Sequence, residues 1–382
     1  MINNNINKAK RKIKQVIVLK IGIITFQRAY SYGAKLQAYA LSTYLCMLGH
    51  QAEIIDYSNI GENKLPGIRF YSLKGFIKSV ICYFNSFGKE KLRREKMDDF
   101  FFKKTPHTLQ HYNFETIKNI ESDFDIFIAG SDQIWCPRYN LGDMNFLLSF
   151  VKDSKKKFSY AASFGFSSID SKYEKTYKQC LSSFNKILVR EKEGVNIVKQ
   201  LTQRNADVVL DPTFLLNIEQ WESIAHYPFK KKIKYILCFK ILSVSPAYQK
   251  LINHLSMLTG YKIIVIDTSY RYKPIKGKLY STAGPEEFLG LIKEAQIVVT
   301  NSFHATVFSI LFNKDFYTVL NDNGLNSRMT DLTNKLGLSH RMFDNKSELP
   351  TLVNLNIDYQ EVNYRLDNEI RKSKKLLSEI LN

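Results

Sequence analysis

Short apolar runs alternate with segments of helical spacing along most of this chain, and the alternation predicts its architecture. Strands are expected at 16–25, 53–56, 125–129, 158–162, 186–189 and 208–210, where Ile, Val, Phe and Ala cluster between polar or turn-forming positions. Between the first two, 34–49 carries Leu36, Tyr39, Ala40, Tyr44, Leu45 and Leu48 at helical spacing and stops at Gly49-His50. A second series at 235–239, 262–266, 297–300 and 316–320 repeats the pattern. Nearly continuous apolar strands separated by helices indicate parallel sheets covered on both faces.

At 382 residues the chain is long for one core, so two domains are expected. Pro212 restricts the residue before it and interrupts the strand pattern, which puts the boundary near Asp211-Pro212-Thr213. The predicted division is a basic tail at 1–15, an N-terminal domain at 16–212, a C-terminal domain at 213–345 and a helical segment at 346–382 that packs back through Ile370, Leu376, Leu377 and Ile380. This is an α/β fold of two Rossmann-like domains facing a cleft, a GT-B-like arrangement. An insertion at about 68–104 stands apart. Leu73, Phe76, Ile77, Val80, Ile81 and Phe84 recur at helical spacing between Lys74 and Lys78, and Arg93, Arg94 and Lys96 follow. Such a helix either packs one face on the domain core or lies on a membrane surface.

Composition narrows the class of partner. Lys and Arg total 55 against 36 Asp and Glu, a net charge of +19, which favours phosphorylated substrates, anionic headgroups or nucleic acid. The basic runs are dispersed and no RRM, KH or zinc pattern is present, so nucleic acid is not the expected partner. Cys46, Cys82, Cys136, Cys180 and Cys238 are scattered without a C-x-x-C pair, as in reduced thiols, and no metal site is read from them. No apolar run approaches the length of a membrane span, and 16–25 is too short and too interrupted for a signal peptide. The expected location is cytoplasmic, touching the inner face of the cell membrane.

The richest candidate chemistry lies at Thr300-Asn301-Ser302-Phe303-His304, where a strand gives way to a helix. The free N–H groups and the dipole of a helix start favour an anion, so Asn301 and Ser302 are candidate binding positions. His304, in the first turn, is the candidate proton-transfer group. Arg190 closes the strand 186–189 and should project at the sheet's carboxyl edge, either toward an anionic donor or as a surface partner of Glu191 or Glu193. Arg328 is a second candidate for the same anion. Ser131 and Asp132 end the strand 125–129; they suit either acid–base work on a hydroxyl or a helix N-cap. Trp135 could stack on a sugar or anchor the core. Gly33, at the start of the first helix, permits close backbone approach, and Arg28, Tyr30 and Tyr32 precede it as candidate acceptor contacts. Asp211 reads as a turn cap and not as a catalytic group.

Taken in order, Tyr32-Gly33-Ala34-Lys35-Leu36-Gln37-Ala38, Ala129-Gly130-Ser131-Asp132-Gln133-Ile134-Trp135, Tyr160-Ala161-Ala162-Ser163-Phe164-Gly165, Val189-Arg190-Glu191, Asp211-Pro212-Thr213, Asn301-Ser302-Phe303-His304 and Ser327-Arg328 resemble the polysaccharide pyruvyl transferases. That resemblance implies a GT-B-like fold and transfer of pyruvyl from phosphoenolpyruvate to two hydroxyls of a sugar. The product would be a cyclic ketal on a surface polysaccharide or its lipid-linked precursor. The partners implied are phosphoenolpyruvate and a glycan, with neither a metal nor a nicotinamide as cofactor. It also implies an Arg-Leu-His triplet where this chain has Ser302-Phe303-His304, so the histidine is kept and the arginine is not. Arg190 and Arg328 are the candidates to supply the guanidinium. The rival on the same fold is a nucleotide-sugar glycosyltransferase.

Overall fold

Eleven residues, Gln37 to Met47, complete a helix that is buried on almost every side up to Leu45, and this helix organises the molecule. The computed structural model describes residues 17–59, 73–241, 245–267, 275–320, 326–351 and 356–381, with only the backbone of 73–87. In the first half, β1 (Lys20–Ile24) leads into this helix, α1 (Tyr32–Met47), and back to β2 (Gln51–Tyr57). A 32-residue helix, α2 (Leu73–Lys104), then feeds the edge strand β3 (His107–Tyr112). On the other side of β1 lie β4 (Ile126–Ala129) and β5 (Lys157–Ser159), giving the order β3-β2-β1-β4-β5. The short pair β6 (Leu188–Val189) and β7 (Asp207–Val208) joins this sheet through single bridges at Phe158–Lys186 and Ala162–Val189.

The second half holds β8 (Tyr235–Lys240), β9 (Lys262–Asp267), β10 (Lys278–Leu279), β11 (Ile297–Thr300), β12 (Asp315–Val319) and β13 (Met342–Phe343) in the order β10-β9-β8-β11-β12-β13. Each strand pairing in both sheets is parallel. The fold is therefore α/β with two Rossmann-like halves, as expected. The C-terminal helix (Tyr359–Ser378) packs Val362 and Leu366 into the core of the second half and Leu377 into that of the first. It is tied to the chain between the halves by a hydrogen bond from the Leu210 amide to Ser373 Oγ at 2.9 Å.

Several expectations are adjusted. The first strand begins at Lys20, not at 16. The strands β3, β10 and β13 carry too few alternating apolar residues to be read in advance. The basic tail 1–15 and the start of the insertion lie outside the described residues, as do the side chains of Leu73 to Phe84 on which the amphipathic reading rests. Arg93 and Arg94 do not form a free basic face, because Glu90 pairs with both, at 2.8 and 2.7 Å.

The burial of α1 on two faces has a simple cause. Ala38, Leu41 and Leu45 pack on the first sheet, while Tyr32, Leu36 and Ala40 pack on residues of the second half. Each fully buried leucine of this kind contributes about 1.5–3 kcal/mol. The Tyr32 ring stacks on Phe288 with centroids 4.4 Å apart, and its hydroxyl donates to the Ala283 carbonyl at 2.8 Å. Tyr32→Phe should keep the stack and lose the hydrogen bond, lowering stability by about 1 kcal/mol, read from urea unfolding.

Candidate functional site

In each sheet the chain adds strands first to one side and then to the other, and ligands of open α/β sheets collect outside the carboxyl ends of the strands where that direction changes. In the first sheet the change falls between β1 and β4, and Ser131 and Asp132 follow β4 directly. In the second it falls between β8 and β11, and Ser302 and His304 follow β11. The two places meet. Asp211, at the junction of the halves, accepts from Ser131 Oγ at 2.9 Å and from Arg190 Nη1 at 2.9 Å, and the same Oδ2 lies 3.5 Å from His304 Nε2. At that separation the last contact is not an aligned hydrogen bond.

Local structure explains each position. Ser302 caps the helix Phe303–Leu311 by accepting from the Ala305 amide at 3.4 Å, which seats His304 in the first turn. Asp211 caps the short helical turn Pro212–Phe214 with its other oxygen, accepting from the Thr213 amide at 3.1 Å and the Thr213 hydroxyl at 2.8 Å. The cap fixes one carboxylate oxygen and leaves the second facing Arg190 and His304. The expectation of a cap was sound for Oδ1 and incomplete for the residue.

His304 is also held from the opposite side. A β-carbon built on Gly33 would lie 1.9 Å from His304 Nδ1, so the imidazole occupies the space a side chain would fill at the start of α1. The sequence reading reserved Gly33 for ligand approach; the structure gives that space to the histidine ring. Ser31, the residue before α1, makes no side-chain cap. The N-termini of α1 and of the His304 helix thus converge on one ring from the two halves. The His304 side chain is 9% exposed, at the junction and not deep within either core. Gly33→Ala must displace the ring. We expect a loss of about 1–3 kcal/mol in stability and, because positional errors of about 1 Å cost about a hundredfold in rate, a matching fall in turnover.

Arg190 and Arg328 flank a shared aromatic face. Their guanidinium carbons lie 4.7 and 5.8 Å from the centre of the Phe303 ring. Arg190 is buried. Its Nη2 lies 3.7 Å from Asp132 and its Nε 3.9 Å from Glu191, and neither nitrogen has a hydrogen-bond partner among the described residues. Burial opposes the Arg190 charge, yet Asp211, Asp132 and Glu191 together hold the guanidinium more firmly protonated than usual. Arg328 is half-buried and makes no hydrogen bond or ion pair to a described residue; burial and then the like charge of Arg190 pull its pKa down. For Asp211, burial alone would raise the pKa, but His304 and Arg190 outweigh it and hold the carboxyl well below the usual range. Burial pushes Glu191 up against the opposing pull of Arg190 and Arg328, while its Oε1 accepts from Ser163 Oγ at 2.8 Å and the Phe164 amide at 3.1 Å.

Asp132 adopts φ 78°, a left-handed conformation unusual for a residue with a side chain. Such strain persists where the surroundings enforce it, often at functional sites. Here its carbonyl accepts from the Ser163 amide at 3.1 Å and its Oδ1 from the Gln133 amide at 2.9 Å, which turns the carboxylate toward Arg190.

A family profile described as polysaccharide pyruvyl transferase matches residues 32–323. The chain belongs to that family. The matched span contains Gly33, Ser131, Asp132, Arg190, Asp211 and His304, and leaves Arg28 and Arg328 outside. No curated protein matches the chain. Among solved structures, the chain is similar to UDP-GlcNAc 2-epimerase from Methanocaldococcus jannaschii in complex with UDP-GlcNAc and UDP, at 14% identity, TM-score 0.49, covering 95% of this chain and 99% of that one. It is similar to a putative UDP-N-acetylglucosamine 2-epimerase from Listeria monocytogenes, at 8% identity, TM-score 0.47, covering 95% and 89%. It is also similar to Arabidopsis thaliana UGT89C1, at 12% identity, TM-score 0.45, covering 96% and 100%.

Other predicted site residues of this family member are engaged in structural contacts. Trp135 is fully buried and donates from Nε1 to the Phe146 carbonyl at 3.0 Å; it anchors the first core and does not face a sugar. Tyr32 is spent on the contact between the halves described above. The Asn301 side chain accepts from the Ile241 amide at 2.8 Å and donates to the Ile241 carbonyl at 3.0 Å, joining the ends of β8 and β11 instead of facing a donor. Ser302 is a cap. Arg28 makes a two-pronged ion pair with Asp56, at 2.7 and 2.6 Å. The group that sequence reasoning missed is Asp211, and the ring of Phe303 was passed over as a mere neighbour of the histidine.

Proposed function

We propose that the chain transfers pyruvyl from phosphoenolpyruvate to two hydroxyls of a sugar, forming a cyclic ketal on a surface polysaccharide or its lipid-linked precursor. The reading is carried by one observation: His304 sits where two helix N-termini meet, beside the buried, unbonded donors Nε and Nη2 of Arg190 and the half-buried guanidinium of Arg328. The family supports a transferase acting on polysaccharide; the donor and the product are our inference.

The chemistry fits these groups. Protonation of the methylene carbon of the enol phosphate makes an oxocarbenium-like centre. One hydroxyl attacks it, phosphate departs with both electrons of its C–O bond, and the second hydroxyl closes the ketal. Of the two hydroxyl protons, one ends on the new methyl group and the other on the released phosphate. His304 takes a hydroxyl proton and returns one to carbon, with Asp211 orienting the ring. Arg328 pairs with the donor's carboxylate or phosphate, and Arg190 secures Asp211 while turning its remaining donors toward the same anion. Asp132, next to Arg190, accepts from an acceptor hydroxyl.

Incubation with phosphoenolpyruvate and galactose-, mannose- or N-acetylmannosamine-containing acceptors should release phosphate; release of a nucleoside diphosphate from a nucleotide sugar instead would favour the glycosyltransferase rival. Arg328→Ala should raise KM for phosphoenolpyruvate by about 10- to 100-fold, the cost of about 1.5–3 kcal/mol for a hydrogen bond to a charged group. Arg328→Lys should fall between, since it keeps the charge and loses the fork. Among the described residues no helix is long and apolar enough to cross a membrane. The +19 charge supports attachment at an anionic surface where lipid-linked acceptors reside, which flotation with anionic vesicles tests.

A further inference from the structure

A cavity of about 400 Å³ lies beside the loop that joins β1 to α1. That is within the usual range for a small-ligand pocket, about 300–1,000 Å³. Lys35 of α1 forms its floor, 1% exposed, with its ammonium 5.1 Å from the Phe101 ring centre and 3.6 Å from Asp98. Tyr30 forms a wall. Arg94 lies over its ring at 4.3 Å, and its hydroxyl donates to Asp98 at 3.1 Å. Phe102, 47% exposed, stands at the mouth under Arg28 at 5.8 Å.

Charge sets the class of ligand. Arg28 faces Asp56, Lys35 faces Asp98, Lys91 faces Glu95, and Arg94 faces Glu90, an acid it shares with Arg93. In a chain of net charge +19, a cavity in which every lining cation faces an acid is poorly suited to an anion. Alternating donors and acceptors around aromatic faces suit a neutral polyhydroxyl, whose C–H face lies on a ring while its hydroxyls bridge carboxylate and guanidinium. The position fits the same class. Gly33 touches His304, and Lys35, two residues on, leaves α1 on the opposite side. The loop ahead of α1 is the open part of this region, with Arg28, Ala29 and Tyr30 half-buried and Ser31 exposed, so a glycan longer than one sugar would run over that loop to the cavity.

We propose that this cavity is a subsite for a neutral sugar of the acceptor glycan, remote from the hydroxyls that receive pyruvyl; the assignment rests on the reading of the acceptor as a glycan. Two variants test it, Phe102→Ala and Asp98→Asn, each checked for an unchanged thermal midpoint. Binding of neutral oligosaccharides to the full chain is measured by calorimetry without donor, and KM is measured for long and single-sugar acceptors. Both variants should weaken oligosaccharide binding and raise KM for the long acceptor by about tenfold, leaving KM for phosphoenolpyruvate and turnover of a single-sugar acceptor unchanged. Oligosaccharide binding lost in the variants, with no ketal formed by any form of the protein, supports the subsite and rejects pyruvyl transfer. Ketal formation with unchanged long-acceptor binding and KM in both variants overturns the subsite and leaves the transferase reading standing.

Discussion

His304→Asn should lower turnover with phosphoenolpyruvate by about 10²- to 10⁴-fold, the usual contribution of a positioned acid–base group. The amide keeps much of the volume that Gly33 leaves for the ring, so the fold should survive, and thermal melting of the variant checks that it does. KM for phosphoenolpyruvate should change little, because the donor's anionic groups are assigned to Arg328 and Arg190. A fall confined to kcat is the signature of a group that acts in the transition state. Phosphate release measured against donor concentration separates the two parameters.

Asp211→Ala should have the largest effect on stability. It removes the acid that Arg190 faces at 2.9 Å and His304 at 3.5 Å, and leaves a buried guanidinium without its closest counter-charge. Breaking a buried pair from one side costs about 3–5 kcal/mol. Asp211→Asn keeps the shape and the contacts to Thr213, so it should cost less in stability while still lowering turnover through a misoriented imidazole. The same pair fixes a pH dependence. The folded carboxyl titrates well below the value of about 3.9 for a free aspartate. The stability it contributes is therefore fully present above that free value and is lost as pH falls from about 4 toward the folded one. Acid unfolding of the wild type should steepen below about pH 4, and Asp211→Asn should flatten that limb.

Much of the fold could be read from the sequence because its strands are buried on both faces. β11 was expected at 297–300 and is found there, since Ile297-Val298-Val299 is apolar throughout and Asn301-Ser302 ends it sharply. By contrast β3 is an edge strand with Leu109 fully exposed, so its pattern follows no sheet period. Of the site, the positions of His304 and Arg190 could be read, because each follows a strand end; Arg328 lies in the helix Ser327–Lys335, and its place beside Phe303 could not. Nor could the role of Asp211. Its local sequence announces a cap, which is what Oδ1 does; only the docking of the second half reveals what Oδ2 faces. The aromatics stayed open between two readings for the same reason, since Tyr32 and Trp135 look alike in sequence whether they meet a sugar or another core residue; both meet core residues.

The central claim is that carbon protonation and ketal closure occur at this junction with phosphoenolpyruvate as donor. The most direct measurement is mass spectrometry of the acceptor glycan after incubation with phosphoenolpyruvate in heavy water. The account predicts a pyruvyl ketal whose methyl group carries one solvent deuteron, formed by the wild type and not by His304→Asn. An unmodified acceptor, or equal ketal formation by the folded variant, would contradict it.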